Sequence, residues 1–354
     1  MVADEMILKG NEVKSERALN EKLVSKRKLI QLPQWALAWI VLIPALIFLV
    51  MFMLYPVVNT FLSAFVQNFY YSKGAGSFAI GQFLAGVANG NKAGMVFGLS
   101  NFKMALTDEV FLRSIGNTAI LVIVEVPLTI IVSLLIATFL NSIKVLKGFY
   151  QTIFFLPYVT NAIALGLVFN IVFASGQGGL LNMLLARFGV DPISWLDKYD
   201  ASRFHQGVVI VTYALWNGLA FKILVFMAGL ATIDSQYYNA AKIDGASNFT
   251  IWRRITLPLL SPQILYITIT SFIGAFKMYT GVMAVYTGAG QTGGYYFGGK
   301  DGNEWIPVVG WIYRKLGSNN IQTGVASAAS IILLAIIMVI TVVQFGVSKK
   351  RVHY

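Results

Sequence analysis

The sequence predicts an all-α membrane protein that crosses the bilayer about six times. Of its 354 residues, 57% are hydrophobic and only 12% are charged, and the mean hydropathy is +0.69. This composition is far more apolar than that of an ordinary water-soluble domain. The apolar residues are gathered in repeated runs of about 20 or more, the length that a helix needs to cross a hydrocarbon core of about 30 Å.

Six apolar segments, each bounded by Gly, Pro, Asn or charged residues, are the candidate spans of a transmembrane domain over residues 35–350. The first is too long for the apolar part of a signal peptide and has no clear small-residue cleavage site, so we expect it to stay in the chain. The six candidates are residues 35–65, 115–140, 149–173, 206–231, 262–286 and 322–347.

The distribution of Lys and Arg predicts the orientation. An even number of spans places both termini on one side, and cytoplasmic segments carry an excess of positive charge. The tail 1–34 is strongly basic, and the short segments 141–148 and 232–261 and the C terminus also carry Lys or Arg. We therefore expect both termini in the cytoplasm. The three long loops, 66–114, 174–205 and 287–321, would then lie outside.

Several functional classes are disfavoured by composition. The net charge is +12, but Lys and Arg lie mainly between and beyond the apolar runs, which indicates membrane topology rather than nucleic-acid binding. The chain has no cysteine, which excludes disulfides and thiolate metal sites. Its two histidines, His205 and His353, are too far apart in sequence to suggest a metal centre.

The segment between the fourth and fifth spans has the most informative pattern. Residues 236–244 favour a short helix with Ala240 and Ala241 at its centre, and Gly245 is well placed to end that helix. Small side chains at the centre of such a helix permit close approach by another protein. The first half of the segment 232–261 therefore predicts a docking element.

The second half, residues 249–260, mixes apolar residues with Arg253 and Arg254. Pro258 and Pro262 would interrupt a helix here. The pattern predicts an amphipathic piece that lies against the membrane surface before the next span.

This segment resembles the EAA loop of ABC importer permeases, which reads roughly as EAA, three residues, Gly, nine residues, Ile, one residue and Leu-Pro. The triplet Asp244-Gly245-Ala246 matches the form that is common in carbohydrate importers, whereas Asn239 replaces the leading Glu and loses its charge. The other matching positions are Ala240, Ala241, Ile255, Leu257 and Pro258.

Further segments resemble the first permease of a two-permease sugar importer, of the maltose-permease F type. The resemblance spans most of residues 35–350 but not the tail, the segment 68–98 or the long segment 290–320. The matching segments are Leu54-Tyr55-Pro56, Leu99-Ser100-Asn101-Phe102, Asn117-Thr118, Leu156-Pro157 and residues 324–329.

The resemblance implies a type I importer permease fold and a set of partners. These are a second permease subunit, two ATP-binding subunits that the EAA-type loop contacts, and an extracytoplasmic solute-binding protein. The chain has no phosphate-binding loop of the Walker type, so ATP and Mg²⁺ are expected only in the partner ATPase. A GxGxxG at Gly288, Gly290 and Gly293 does not follow a strand and is not a nucleotide site.

Ionisable residues inside spans are costly and are candidates for the substrate path. Counting residues from the outer surface places Glu125 and Lys277 at similar depths, which would allow them to pair, in the path or as a structural pair. Lys222 lies nearer the cytoplasm and is expected to extend its ammonium group to the interface. A sugar site also needs polar and aromatic side chains, so Asn217 and Tyr279 join Glu125 and Lys277 as path candidates.

Three alternatives differ in testable ways. A permease for another solute, such as glycerol phosphate, a polyamine or an anionic oligosaccharide, would share the loop. A membrane enzyme should show Asp, Glu or His clustered at one depth, and the sequence suggests no such cluster. A channel would need a repeated filter-like loop, which is not evident.

Overall fold

The computed structural model describes residues 33–66, 97–143, 147–286, 296–317 and 322–348. Over these residues the chain is helical, and the only β-type pairing is an isolated bridge between Val66 and Phe97. The all-α prediction is therefore confirmed. The tail 1–32, most of the 68–98 segment, the three glycines of the GxGxxG and the basic C terminus lie outside the described residues.

The helices are numbered here in chain order. They are α1 Gln34–Phe65, α2 Ser100–Thr107, α3 Glu109–Ser142, α4 Lys147–Val159, α5 Ala162–Val172, α6 Leu180–Ala186, α7 Arg203–Ala231, α8 Ser235–Ile243, α9 Asn248–Leu259, α10 Ser261–Phe276, α11 Thr280–Tyr286, α12 Val308–Gly317 and α13 Thr323–Ser348.

Four of these helices, α1, α3, α7 and α13, are long and apolar enough to cross a membrane. The pair α9 and α10 passes the same test together but is bent by 66°. Among the described residues the structure thus supports four spans, or five with the bent pair. The expected number of about six is not confirmed, because the segment 149–173 is divided between two shorter helices.

The helix α1 crosses the boundary at Asn59 between the two units of the chain, residues 1–59 and 60–354, so its residues 60–65 belong to the larger unit. It contains one π-helical turn, Val50–Leu54, and Pro44 lies inside it. Its mean composition is strongly apolar, and the side chains of Gln34–Leu49 are not buried. Such a surface is what lipid contact requires.

The break between α4 and α5 has a local cause. Asn161 is extended, and its side-chain Oδ1 accepts a hydrogen bond from the backbone N–H of Ile163 at 2.8 Å. This makes Asn161 the N-cap of a new helix, since Asn side chains compete with helical backbone hydrogen bonds. The segment predicted as one continuous span is therefore interrupted near its middle.

A second break separates α10 from α11. The helix α10 ends at Phe276, and α11 begins only at Thr280. The short helix α11 packs against α5, where the side chain of Asn170 donates a hydrogen bond to the carbonyl oxygen of Val285 at 2.7 Å. The two interrupted segments thus support each other in the folded chain.

The core of the larger unit is built on α3 and α7, which pack along much of their length. Asn101 on α2 donates hydrogen bonds to the carbonyl oxygens of Ala64 and Val66 at 3.0 and 2.8 Å. These bonds attach α2 to the end of α1. The segment with Asn101 had been noted only through its resemblance, and its structural role is to satisfy backbone groups where α1 stops.

Residues 296–317 pack against the first turns of α3 and α7. The amide group of Asn117 donates to the carbonyl oxygens of Glu304 and Ile306 and accepts from Arg203. The side chains of Phe297, Ile306 and Trp311 are fully buried. This part of the 287–321 segment is therefore packed structure.

Candidate functional site

A cleft of about 670 Å³ lies among α3, α7, α10 and the two helix breaks. Its wall has both polar and aromatic character, which suits a ligand with hydroxyl groups and apolar faces. The residues that form it are Glu125, Tyr158, Thr160, Ala162, Tyr213, Ala214, Asn217, Gly218, Phe221, Lys222, Thr270, Ser271, Gly274, Ala275, Lys277, Met278, Tyr279, Thr280 and Gly281.

Both helix breaks contribute to this cleft. The α4–α5 break supplies Tyr158, Thr160 and Ala162, and the α10–α11 break supplies the segment from Lys277 to Gly281. Irregular backbone at membrane depth is tolerated only where it is buried in protein or lines a cavity. Both breaks therefore lie where the backbone lines a cavity, as this rule requires.

The four path candidates that the sequence suggested all line the cleft. They come from three elements: Glu125 from α3, Asn217 from α7, and Lys277 and Tyr279 from the α10–α11 break. The side chains of Asn217 and Lys277 are exposed, whereas Glu125 is only 5% exposed. The structure thus brings together residues that are up to 154 positions apart, although their contact with a substrate remains a prediction.

Glu125 forms its ion pair with a different lysine from the one expected. The Nζ atom of Lys222 lies 3.6 Å from Oε1 of Glu125, and Lys222 is only 7% exposed. The suggested pairing of Glu125 with Lys277 is therefore wrong, and so is the expectation that Lys222 extends to the interface. The physical reason is rotation about the helix axes, because α3 and α7 turn these two side chains towards each other.

Tyr279 connects the cleft to residues 296–317. Its ring stacks on that of Tyr313 in α12, with the centroids 4.6 Å apart and the planes 6° from parallel. Stacked aromatic pairs of this kind stabilise a contact by about 0.5–1.5 kcal/mol beyond area burial. A wall of the cleft is thus held by an element that is distant in sequence.

The predicted docking helix is present as α8, Ser235–Ile243. Asp234 caps its N terminus by accepting the N–H of Gln236 at 2.9 Å. At its other end Gly245 has a φ of +75°, its N–H donates to the carbonyl of Lys242, and Ala246 N–H donates to that of Ala241. This is the Schellman arrangement, in which glycine adopts the left-handed conformation without a Cβ penalty.

The second half of the segment forms α9, which contains a π-helical turn, Trp252–Thr256. It is joined to α8 by a hydrogen bond between the hydroxyls of Tyr238 and Thr256 at 3.3 Å. The bend of 66° follows at Leu260, between Pro258 and Pro262. The structure thus has an elbow, residues 234–260, made of two short helices that lead into α10.

All nine residues at the EAA-pattern positions are exposed or half-buried. On and after α8, Asn239, Ala240, Asp244 and Gly245 are exposed, while Ala241 and Ala246 are half-buried. Ile255, Leu257 and Pro258 are half-buried on α9. Ile243 is 87% exposed and Phe249 is 67% exposed. An apolar surface of this kind next to small residues suits contact with another protein.

Sequence reasoning missed three features of the cleft. Lys222 was assigned to the interface, but it lies in the cleft wall. The stacking of Tyr158 on Phe221 was not predicted, and no motif in the sequence indicated that Gly218 lines the cleft. The spacing of Gly218 and Lys222 by four residues places them on one helix face, and this was the only available hint. Among the described residues no group of His, Cys, Asp and Glu could hold a metal ion.

Comparison with known proteins gives a consistent result. Residues 126–353 match the model of the family described as binding-protein-dependent transport system inner membrane component. The chain is 28% identical to the arabinooligosaccharides transport system permease protein AraP of Bacillus subtilis, over 86% of each chain. It is 28% identical to the lactose transport system permease protein LacF of Rhizobium radiobacter, over 88% of this chain and 94% of LacF.

A third relative is named for the transport of a different kind of solute. The sn-glycerol-3-phosphate transport system permease protein UgpA of Agrobacterium fabrum is 30% identical, over 73% of this chain and 82% of UgpA. Among solved structures, a bacterial alginate ABC transporter in complex with an alginate pentasaccharide-bound periplasmic protein contains a chain that matches with a TM-score of 0.70. That match has 20% identity over 89% of this chain and 94% of the other, and it shows a shared fold.

Proposed function

The chain belongs to the family of binding-protein-dependent transport system inner membrane components, and on this premise we propose that its cleft is part of the path of a sugar or oligosaccharide. It is a permease subunit of an ATP-driven importer, a transport component rather than an enzyme. The observation that carries the substrate proposal is the cleft at the two helix breaks, which is lined by both hydroxyl-binding side chains and aromatic rings.

The proposed assembly has three kinds of partner. A second permease would complete the path, two ATP-binding subunits would contact the elbow, and an extracytoplasmic binding protein would deliver the sugar. The family description and the solved alginate transporter with its periplasmic protein support the binding protein. The exposed α8, with its apolar Ile243, supports a contact with the ATPase.

In the proposed mechanism, closure of the ATP-binding subunits moves the elbow. The elbow continues into α10, and α10 forms one wall of the cleft. Displacement of α8 would therefore shift that wall and alternate the access of the cleft between the two sides. Both termini would lie in the cytoplasm, as the distribution of Lys and Arg predicts.

A second candidate substrate is glycerol phosphate. The similarity to UgpA and the exposed ammonium group of Lys277 in the cleft favour it. Uptake by proteoliposomes that contain the whole importer would separate the two, with arabinotriose, lactose and sn-glycerol-3-phosphate as probes. Uptake of arabinotriose or lactose without uptake of glycerol phosphate supports the sugar proposal. Uptake of glycerol phosphate without either sugar would instead identify glycerol phosphate as the substrate.

The partner assignment is tested by purifying the tagged chain from its native membrane and identifying the proteins that come with it. The wild-type chain should bring an ATPase and a second permease, while Gly245→Asp should lose only the ATPase. The matched control is Gly189→Asp, because Gly189 has a φ of +76° and equally open surroundings but lies in the loop 174–205. A wild-type chain that purifies alone with transport intact would contradict the importer assembly.

A further inference from the structure

The ion pair of Glu125 and Lys222 combines deep burial with access to the cleft. Each residue is more than nine-tenths buried, yet both line the cleft wall. Buried charges are normally both paired and hydrogen-bonded, because desolvation of each ion is costly. The contacts of this pair therefore indicate whether it is only a link between α3 and α7.

The polar contacts of the pair are incomplete within the described chain. Oε1 of Glu125 lies 3.2 Å from Oγ1 of Thr129 and 3.6 Å from Nζ of Lys222, whereas Oε2 has no hydrogen-bond partner among the described residues. The ammonium group of Lys222 can donate three hydrogen bonds. In the described part of the chain its one ion-pair partner is Oε1 of Glu125, and their separation is beyond the usual hydrogen-bond distance.

Gly218 leaves this pair accessible. It lies one turn before Lys222 on α7 and also lines the cleft. A Cβ atom at position 218 would lie 2.9 Å from Nζ of Lys222 and 3.5 Å from Oε1 of Glu125. Any larger residue at this position would therefore occupy the space between the ion pair and the cleft.

We propose that Glu125 and Lys222 together bind adjacent hydroxyl groups of the transported sugar, through the space that Gly218 leaves beside them. The free carboxylate oxygen accepts a hydrogen bond from one hydroxyl, and the ammonium group donates to the oxygen of its neighbour. Because the pair is neutral overall, this subsite selects for a pair of hydroxyls rather than for a charged ligand. The inference rests on the proposed function, since it needs the cleft to be the sugar path.

The test uses the intact importer in proteoliposomes with arabinotriose and lactose as probes. Two quantities are measured, the ATPase activity stimulated by the sugar-loaded binding protein and the number of sugars taken up per ATP hydrolysed. Gly218→Ala should lower the number of sugars taken up per ATP about tenfold, the effect expected when hydrogen bonds to a charged group are lost. It should leave the stimulated ATPase activity within about twofold of wild type. A helix interior favours alanine over glycine, so the variant should fold.

Two controls are matched to this variant. Gly274→Ala adds a methyl group to the same cleft, and Gly116→Ala adds one to α3, with nothing within 4 Å of the new atom in either case. Gly116→Ala, which lies outside the cleft, should leave sugar uptake per ATP unchanged. Gly274→Ala lines the cleft, but no atom of the ion pair lies within 4 Å of its added carbon, so it should lower uptake per ATP less than Gly218→Ala does. If Gly274→Ala reduces uptake as much as Gly218→Ala, or if Gly218→Ala has no effect, the subsite assignment is wrong.

Exchange of the two charges separates binding from structure. The double variant Glu125→Lys with Lys222→Glu keeps an ion pair between α3 and α7, so assembly and stimulated ATPase should persist while uptake per ATP stays low. Recovery of wild-type uptake in the exchanged variant would show that the pair is only structural. That result would overturn the subsite inference but not the proposed function. If the wild-type importer takes up neither probe, the proposed function fails and the subsite fails with it.

Discussion

The indole N–H of Trp252 donates a hydrogen bond to Oγ1 of Thr138 at 3.3 Å. Trp252 lies in the π-helical turn of the elbow, and Thr138 lies near the end of α3, 114 residues earlier in the chain. The elbow is therefore attached to α3, which carries Glu125, as well as to α10. A movement of α8 and α9 would therefore be transmitted to the cleft through two of its walls, α3 and α10.

We expect Trp252→Phe to weaken transport without releasing the ATPase. A lost neutral hydrogen bond costs about 1 kcal/mol, so uptake should fall roughly two- to fivefold if this bond transmits movement. The measurement is uptake by the intact importer, together with the amount of co-purified ATPase.

Thr138→Val is the matching change on the other side of the same bond. It also removes the hydrogen bond that Oγ1 donates to the carbonyl oxygen of Leu134, so it should lower uptake at least as much as Trp252→Phe. The double variant should show no loss beyond that of Thr138→Val, because the bond between the two side chains is then already absent. Fully additive effects would mean that the two side chains act independently.

The conformation of Gly245 leads to a second prediction. Its φ is +75°, and a Cβ atom added there would have no atom within 4 Å, so backbone strain rather than steric conflict should decide which residues fit. Asparagine tolerates this conformation better than alanine, for which it costs about 1–2 kcal/mol. Gly245→Asn should therefore retain more co-purified ATPase than Gly245→Ala. Equal retention would indicate that the Schellman turn is not needed for docking.

The stack of Tyr279 on Tyr313 leads to a third prediction. Tyr313→Phe keeps the ring and should leave sugar uptake close to wild type, whereas Tyr313→Ala removes about 0.5–1.5 kcal/mol of stacking and should lower uptake several-fold. The comparison of uptake rates between these two variants isolates the ring from the hydroxyl group. A loss in both variants would instead assign the effect to the hydroxyl group of Tyr313.

Asp108 leads to a prediction about pH. Burial raises the pKa of this carboxyl, but the hydrogen bond and charge of Lys315, the N–H of Phe111 and the indole of Trp311 together hold the pKa below its ordinary value of 3.8. A group with a lowered folded-state pKa stabilises the fold above its ordinary pKa, and this contribution is lost as pH falls through the folded-state pKa. The attachment of α12 to α3 should therefore weaken only below about pH 4.

Hydrogen exchange of the α12 amides in the detergent-solubilised importer would measure this attachment between about pH 3 and 6, a range that brackets the ordinary pKa of the carboxyl. The readout is the protection factor, which is corrected for the intrinsic exchange rate at each pH. Asp108→Asn should lower this protection factor above about pH 4 and remove its dependence on acid. Glu109→Gln is the control, because it changes the neighbouring carboxyl, which is not bonded to Lys315 or Trp311 among the described contacts. Acid dependence that persists in Asp108→Asn would assign it to another group.

Several features followed from local sequence. The α8 helix, its end at Gly245 and the bend near Pro258 and Pro262 depend on side chains acting on their own backbone, and these forces operate within a few residues. The apolar runs likewise predicted long helices in α1, α3, α7 and α13. Hydropathy did not locate the breaks at Asn161 and after Phe276, because a window of about 19 residues averages over them.

The sequence by itself determined the membrane character, the four long apolar helices, the elbow and the residue types of the cleft, because composition, periodicity and capping are local properties. Only the tertiary structure decided that Glu125 pairs with Lys222 rather than Lys277, that both helix breaks open on one cleft, and that Tyr279 stacks on Tyr313. These outcomes depend on how each helix is rotated about its axis and which neighbour it meets. Packing over the whole chain sets both, and no short stretch of residues encodes them.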